Sequence, residues 1–174
     1  MRRAIALAYL AAGCGAEPPA EAGTTGAFVA LTRDFEPFRT WRRTAVGSGH
    51  LAGHGDGPRF VYANRAPPAG AAYPVGTVLV KTVEPSSDAR TWELFAMVKR
   101  GGGFNARGAE GWEFFRLAFN DGGDLVMLAR GAEPGDGDDY SGGGGDAGAG
   151  CNGCHAGARG SDSILAEALR PGAP

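Results

Sequence analysis

Five short runs of β-branched and aromatic residues, set apart by Gly, Pro, Asn and Asp, predict a mainly β chain. The expected fold is α+β: an antiparallel sheet of about five strands with an N-terminal and a C-terminal helix. Turn residues separate the runs throughout the middle of the chain, and Asn120-Asp121-Gly122-Gly123 reads as a hairpin connection between the last two. A four-helix bundle does not fit this spacing.

The first expected element is a helix over Asp34 to Arg43. Phe35, Phe38 and Trp41 or Arg42 fall at helical spacing, with Pro37 confined to the first turn. A glycine-rich turn (Gly47 to Gly57) leads to a strand at Arg59 to Asn64, closed by Pro67-Pro68. Thr77 to Val83 is the clearest strand, bounded by Gly76 and Pro85; Trp92 to Lys99, Trp112 to Leu117 and Leu125 to Ala129 follow. From Gly131 to Gly150 the composition turns to Gly and Asp. Asp136, Asp138 and Asp139 lack the spacing and terminal glutamate of an EF-hand, so a solvated, mobile loop is the expectation. Ser161 or Asp162 then caps a last helix through Ile164, Leu165, Ala168 and Leu169.

The length of 174 residues suits one domain with a sizeable core, and the net charge of −2 implies no nucleic-acid partner. Residues 1–14 resemble an export signal. Arg2 and Arg3 precede an apolar stretch too short to span a bilayer, and Leu10-Ala11-Ala12-Gly13-Cys14 resembles a bacterial lipobox with Ala11 in place of the preferred leucine. An ordinary signal peptide cut nearby is the alternative to a lipid anchor on Cys14. Residues 15–27 form a flexible Ala/Gly/Pro/Glu tether, and 28–174 the domain proper. The expected location is the periplasm or the outer membrane of a bacterium.

Chemistry concentrates at Cys151-Asn152-Gly153-Cys154-His155. This C-x-x-C-H run is the attachment signature of a c-type haem: both thiols add to vinyl groups of one porphyrin, and the adjacent histidine ligates its iron. A redox dithiol or half a zinc site would need only the cysteines. With Cys14 given to lipid or lost with the signal, no thiol remains for a structural disulfide. One covalent haem c per chain is expected, with His155 as the metal ligand.

Further segments then form an ordered set. His50-Leu51-Ala52-Gly53-His54 precedes Phe60-Val61-Tyr62-Ala63-Asn64; Gly76-Thr77-Val78-Leu79-Val80-Lys81, Met97-Val98-Lys99-Arg100 and Gly111-Trp112-Glu113-Phe114 follow; Cys151 to His155 and Asp162 close it. In this order the chain resembles the cytochrome P-460 family, which includes the beta-type cytochromes c-prime, over roughly residues 34 to 166. The resemblance implies a mostly β monohaem protein, a homodimer, with five-coordinate iron and an open distal side. Members of the P-460 type carry an extra lysine–porphyrin bond and oxidise hydroxylamine. Their beta-type relatives lack it and bind nitric oxide or carbon monoxide beneath aromatic caps.

Lys81 is the residue that the resemblance offers for that bond. Strand alternation puts it on an apolar face with Thr77, Leu79 and Val83, where a desolvated amine has a lowered pKa and gains nucleophilicity. A lysine snorkelling from a strand end is the alternative. Lys99, followed by Arg100 and three glycines, reads as a solvated strand end. Glu110 and Glu113 are the candidate proton acceptors, with Glu113 equally able to face solvent. Phe104 is the candidate aromatic cap over the ligand. His50 and His54 are distal candidates or turn-stabilising residues, and Met97 and Met127 are sixth ligands or core.

The expected activity is redox chemistry on small nitrogen species such as hydroxylamine, with electrons passing to a redox partner protein. The alternatives are a nitric oxide- or carbon monoxide-binding protein without turnover and a simple electron carrier.

Overall fold

The computed structural model describes residues 26–48, 54–132 and 150–173. Cys14 and the export segment, His50, and Asp136, Asp138 and Asp139 lie outside the described residues.

Six strands form one sheet: β1 (Arg42–Gly47), β2 (Arg59–Ala63), β3 (Val78–Val83), β4 (Glu93–Lys99), β5 (Trp112–Phe119) and β6 (Leu125–Gly131). Each pairs antiparallel with the next in sequence, so the sheet is a meander in the order β1-β2-β3-β4-β5-β6. The strand absent from the sequence expectation is β1. Its Arg42-Arg43-Thr44-Ala45-Val46-Gly47 carries no apolar alternation because it is an edge strand with both arginines exposed, a composition that discourages pairing with another chain.

The side-chain period of two divides the sheet into two covered faces. On the first, Leu94, Ala96 and Val98 of β4 join Val78, Val80, Phe115 and Leu117 and pack against Ala30, Phe35 and Phe38. On the second, Leu79, Val61, Ala63 and Phe114 pack against Tyr73, Ile164 and Leu169. The N-terminal segment therefore covers one face and the C-terminal segment the other.

Neither flanking helix forms as expected. Over 32–40 the chain makes two short 3-10 turns, Thr32–Asp34 and Glu36–Thr40, and then enters β1 directly. Phe38 N donates to Phe35 O (2.9 Å) and Trp41 N to Phe38 O (3.0 Å), three-residue steps in place of helical ones. In a 3-10 turn positions i and i+3 eclipse, so Phe35 and Phe38 point together into the core. Phe35 rests on Phe115 at 5.0 Å, and Phe38 meets Tyr62 edge-on at 5.0 Å.

At the other end, the one α-helix among the described residues is α1 (Cys151–Ala156). The helix expected through Ile164 and Leu169 is replaced by 3-10 turns at Arg159–Ser161 and Glu167–Leu169. Asp162 and Ser163 interrupt it because both adopt positive φ, at 52° and 62°. The Asp162 carboxylate bonds to Lys99 of β4 and to the loop before β3 instead of capping a helix. No helix among the described residues is long and apolar enough to cross a membrane.

Phe38 is 1% exposed, and its ring fills the space between Tyr62 and Phe119. Phe38→Ala is expected to cost about 3–5 kcal/mol in urea unfolding. A loss below about 1 kcal/mol would mean that the N-terminal segment does not close this face.

Candidate functional site

The second face of the sheet is laid out in cross-strand rungs. Ala63, Leu79, Met97 and Phe114 stand opposite one another in one rung; Val61, Lys81, Phe95 and Arg116 form the next, roughly 7 Å along the strands. Beyond them lie Arg59, Val83 and Glu93. Helix α1 packs on this face, with Cys151 half-buried among the second cluster and Cys154 exposed. The two cysteines are three residues apart on a helix and share one side of it.

His155 lies against Phe114, with ring centroids 5.2 Å apart. Its Nδ1 is 2.8 Å from the Ser163 carbonyl oxygen. A carbonyl can only accept, so Nδ1 carries the proton and Nε2 is left with the lone pair that a metal ligand needs. Burial lowers the His155 pKa; the Ser163 bond partly opposes this, and Lys81 adds to the lowering. The net effect favours the neutral ring.

Lys81 is half-buried, and its pKa falls to about 8 from 10.5. Desolvation is the main cause, Arg59 adds to it, and Cys151, Glu93 and Cys154 oppose it. These couplings put its ammonium in the field of both cysteines. His54 also belongs to this group. Its ring meets Phe95 edge-on at 4.9 Å, and its pKa is depressed to about 4 by burial, then by Lys81. Two buried polar atoms here, His54 Nδ1 and Thr44 Oγ1, have no hydrogen-bond partner among the described residues. A cavity of about 390 Å³ opens beside His54, lined in part by Glu93, Phe95, Arg116 and Leu128.

The remaining candidates divide between the faces. Glu113 is 2% exposed and neither faces solvent nor joins Lys81, because it stands opposite Val98 on the first face. There Arg130 Nε (2.8 Å) and Arg100 Nη1 (3.2 Å) hold its two oxygens. Phe104 lies in the same cluster, under the Arg100 guanidinium at 4.6 Å, and lines a second cavity with Glu113 and Arg130. Glu110 is exposed in the turn before β5, and its carbonyl accepts from Lys99 Nζ at 3.0 Å. Met127 packs with the first-face core and Met97 with the second. The structure thus brings together Cys151, Cys154, His155 and Lys81, and it separates Glu113 and Phe104 from them.

Lys99 is not a solvated strand end. Its Nζ donates to Asp162 Oδ1 at 2.5 Å and lies 5.0 Å over the Trp112 ring, with both partners of the pair nearly buried. Sequence reading also missed Asn152, whose Oδ1 accepts from Asn105 Nδ2 (2.7 Å) and Ala109 N (2.8 Å). Together with Arg159 Nε on the Gly108 carbonyl (2.8 Å), it ties the 101–111 turn to α1 and to the 3-10 turn after it. No signal short of the pairing itself identifies these partners, which lie more than forty residues apart. Comparison with protein-family models, characterised proteins and solved structures found no match to this chain.

The depressed values of His54 and Lys81 have a defined sign. Each group binds fewer protons folded than unfolded between its two pKa values, so stability rises with pH across that window. For the protein without cofactor, urea titrations are expected to show stability rising from about pH 4 to 6.5 through His54 and from about pH 8 to 10.5 through Lys81. His54→Gln is expected to reduce the slope of the lower window, to which the buried His155 also contributes, and Lys81→Met to flatten the upper one. An unchanged slope in either variant would mean that the residue is solvated.

Proposed function

We propose that this chain is an exported monohaem c-type cytochrome of the P-460-like kind. In this reading Cys151 and Cys154 would hold the porphyrin through thioethers, His155 Nε2 would ligate the iron, and Lys81 would form the additional bond to the macrocycle. The observation that carries it is the Nδ1–Ser163 bond, which leaves Nε2 unprotonated beside the two thiols and on the face that holds Lys81. Among the described residues no group of three or more His, Cys, Asp or Glu could hold a bare metal ion. A haem iron asks the protein for one nitrogen, so such a group is not required. His54 Nδ1 and Thr44 Oγ1, without a hydrogen-bond partner among the described residues, are polar atoms that a bound group would have reason to meet.

When bound, the haem supplies a redox-active iron with an exchangeable position for a small nitrogen ligand such as hydroxylamine. The chain's own residues do the rest. Nδ1–H of His155, held by Ser163, fixes the tautomer and plane of the ring. Lys81, with its pKa of about 8, has an accessible neutral amine, the nucleophilic form that a bond to the macrocycle would require. Glu113 is spent on two arginines across the sheet, so proton acceptance falls to Glu110 or to the neutral His54. Electrons would pass to a partner protein, and a homodimer and a lipid anchor on Cys14 belong to the same proposal.

The distance of Glu113 from this face favours one second reading: a nitric oxide- or carbon monoxide-binding protein with the same haem and no turnover. For the electron-carrier alternative, Met97 is the methionine on the His155 face.

The deciding experiment is the optical spectrum of the reduced protein after c-type haem maturation. A strongly red-shifted, broadened Soret band that reverts to an ordinary high-spin one in Lys81→Arg is the expected result. An ordinary high-spin spectrum in the wild type would transfer the lead to gas binding. A low-spin spectrum with a methionine–iron band would refute both open-site readings, and absence of haem at Cys151 and Cys154 would refute the proposal.

A further inference from the structure

Two consecutive non-glycine residues, Asp162 and Ser163, stand in the left-handed region. Contact between Cβ and the following carbonyl disfavours that conformation, so it persists only where the surroundings impose it. Here three elements do so. Trp112 Nε1 donates to the Asp162 carbonyl (2.8 Å) from β5, and Lys99 Nζ donates to Oδ1 (2.5 Å) from β4. The backbone N–H of Tyr73 donates to Oδ2 (2.8 Å) from the loop before β3. From behind, Asp162 N donates to Arg159 O (3.0 Å) and Ser163 N to Ala158 O (2.9 Å). Every donor converges on a turn whose next carbonyl, that of the buried Ser163, receives His155 Nδ1.

We infer that Lys99, Trp112 and Asp162 form a positioning unit that fixes the Ser163 carbonyl against His155 and thereby sets the donor strength of Nε2 toward iron. This rests on the haem reading above. A firm Nδ1–H···O=C bond shifts electron density to Nε2, stabilises the ferric state and lowers the reduction potential; a slack one does the reverse. A clamp that merely held the C-terminal segment on the sheet would leave the potential unchanged in any variant that still folds.

The test uses the haem-bearing protein. Trp112→Phe removes one N–H while keeping most of the ring volume, and Asp162→Asn removes the charge facing Lys99. Both are expected to retain covalent haem by intact mass and to lose about tenfold in preference for the ferric state. That is an upward shift of about 59 mV in the one-electron potential. The ferrous iron–histidine stretching frequency should fall in parallel, and Lys99→Arg, which keeps a charged donor, should hold the wild-type values. Unchanged potential and stretch in Trp112→Phe overturn the inference. Should Asp162→Asn not fold, the wild-type stretch still decides, because a frequency typical of an imidazole without an Nδ1 hydrogen bond also overturns it. Absence of haem from the wild type removes the proposed function and this inference together, and intact mass distinguishes that outcome from failure of the inference alone.

Discussion

The nearly buried pair between Lys99 and Asp162 is the interaction on which the arrangement of the second face depends. A charge pair taken out of water is sustained only when its remaining hydrogen-bonding capacity is met. Here the Tyr73 N–H and the Trp112 indole meet it. The Asp162 backbone is thereby brought against β4 and β5 in a left-handed turn, and the segment beyond it sends Ile164 and Leu169 into the core. The Tyr73 hydroxyl completes the seal by donating to the Leu169 carbonyl at 2.7 Å.

A two-faced sheet then separates chemistry by parity. Residues one apart on a strand face opposite sides, so Glu113 and Phe114 belong to different environments although they are neighbours in sequence. Phe114 carries the His155 ring. Glu113 is enclosed by Arg100 and Arg130 beneath the N-terminal segment, where Arg130 Nη1 also donates to the Ala30 carbonyl (3.0 Å). A buried carboxylate with two guanidinium partners is held in place and poorly suited to exchange protons with a ligand on the far side.

On the second face the electrostatics run the other way. Lys81, Arg59, His54 and His155 crowd a partly desolvated region, and their mutual repulsion adds to burial in lowering the pKa of Lys81 and both histidines. Neutral imidazoles and a lysine able to lose its proton near neutrality are nucleophiles and ligands, not solubilising charges. That concentration of electron-pair donors beside two thiols is the feature on which the proposed haem site rests.

Local pattern carried most of the sheet. The runs at 59–64, 77–83, 92–99, 112–117 and 125–129 are strands to within one or two residues, because β-branched and aromatic alternation is a property of neighbours in sequence. The Asn120 to Gly123 hairpin was legible for the same reason, with Asn120 Oδ1 accepting from Asp124 N at 2.8 Å. The C-x-x-C-H spacing likewise defines its own geometry on α1. Edge strand β1 left no apolar imprint, and the 3-10 turns at 32–40 imitate helical spacing because both repeats bring Phe35 and Phe38 to one side. Sequence alone thus determined the order of five of the six strands, the turn between the last two, the paired thiols with their histidine, and the side of β3 on which Lys81 stands. Only the tertiary structure decided that Lys81 and His155 share a face, that Glu113 does not, and that Lys99 is a buried anchor for Asp162. Those relations join residues up to 74 positions apart in the numbering. They follow from which chain segment covers which face, a choice made by the packing energy of the whole molecule and not by any local run of residues.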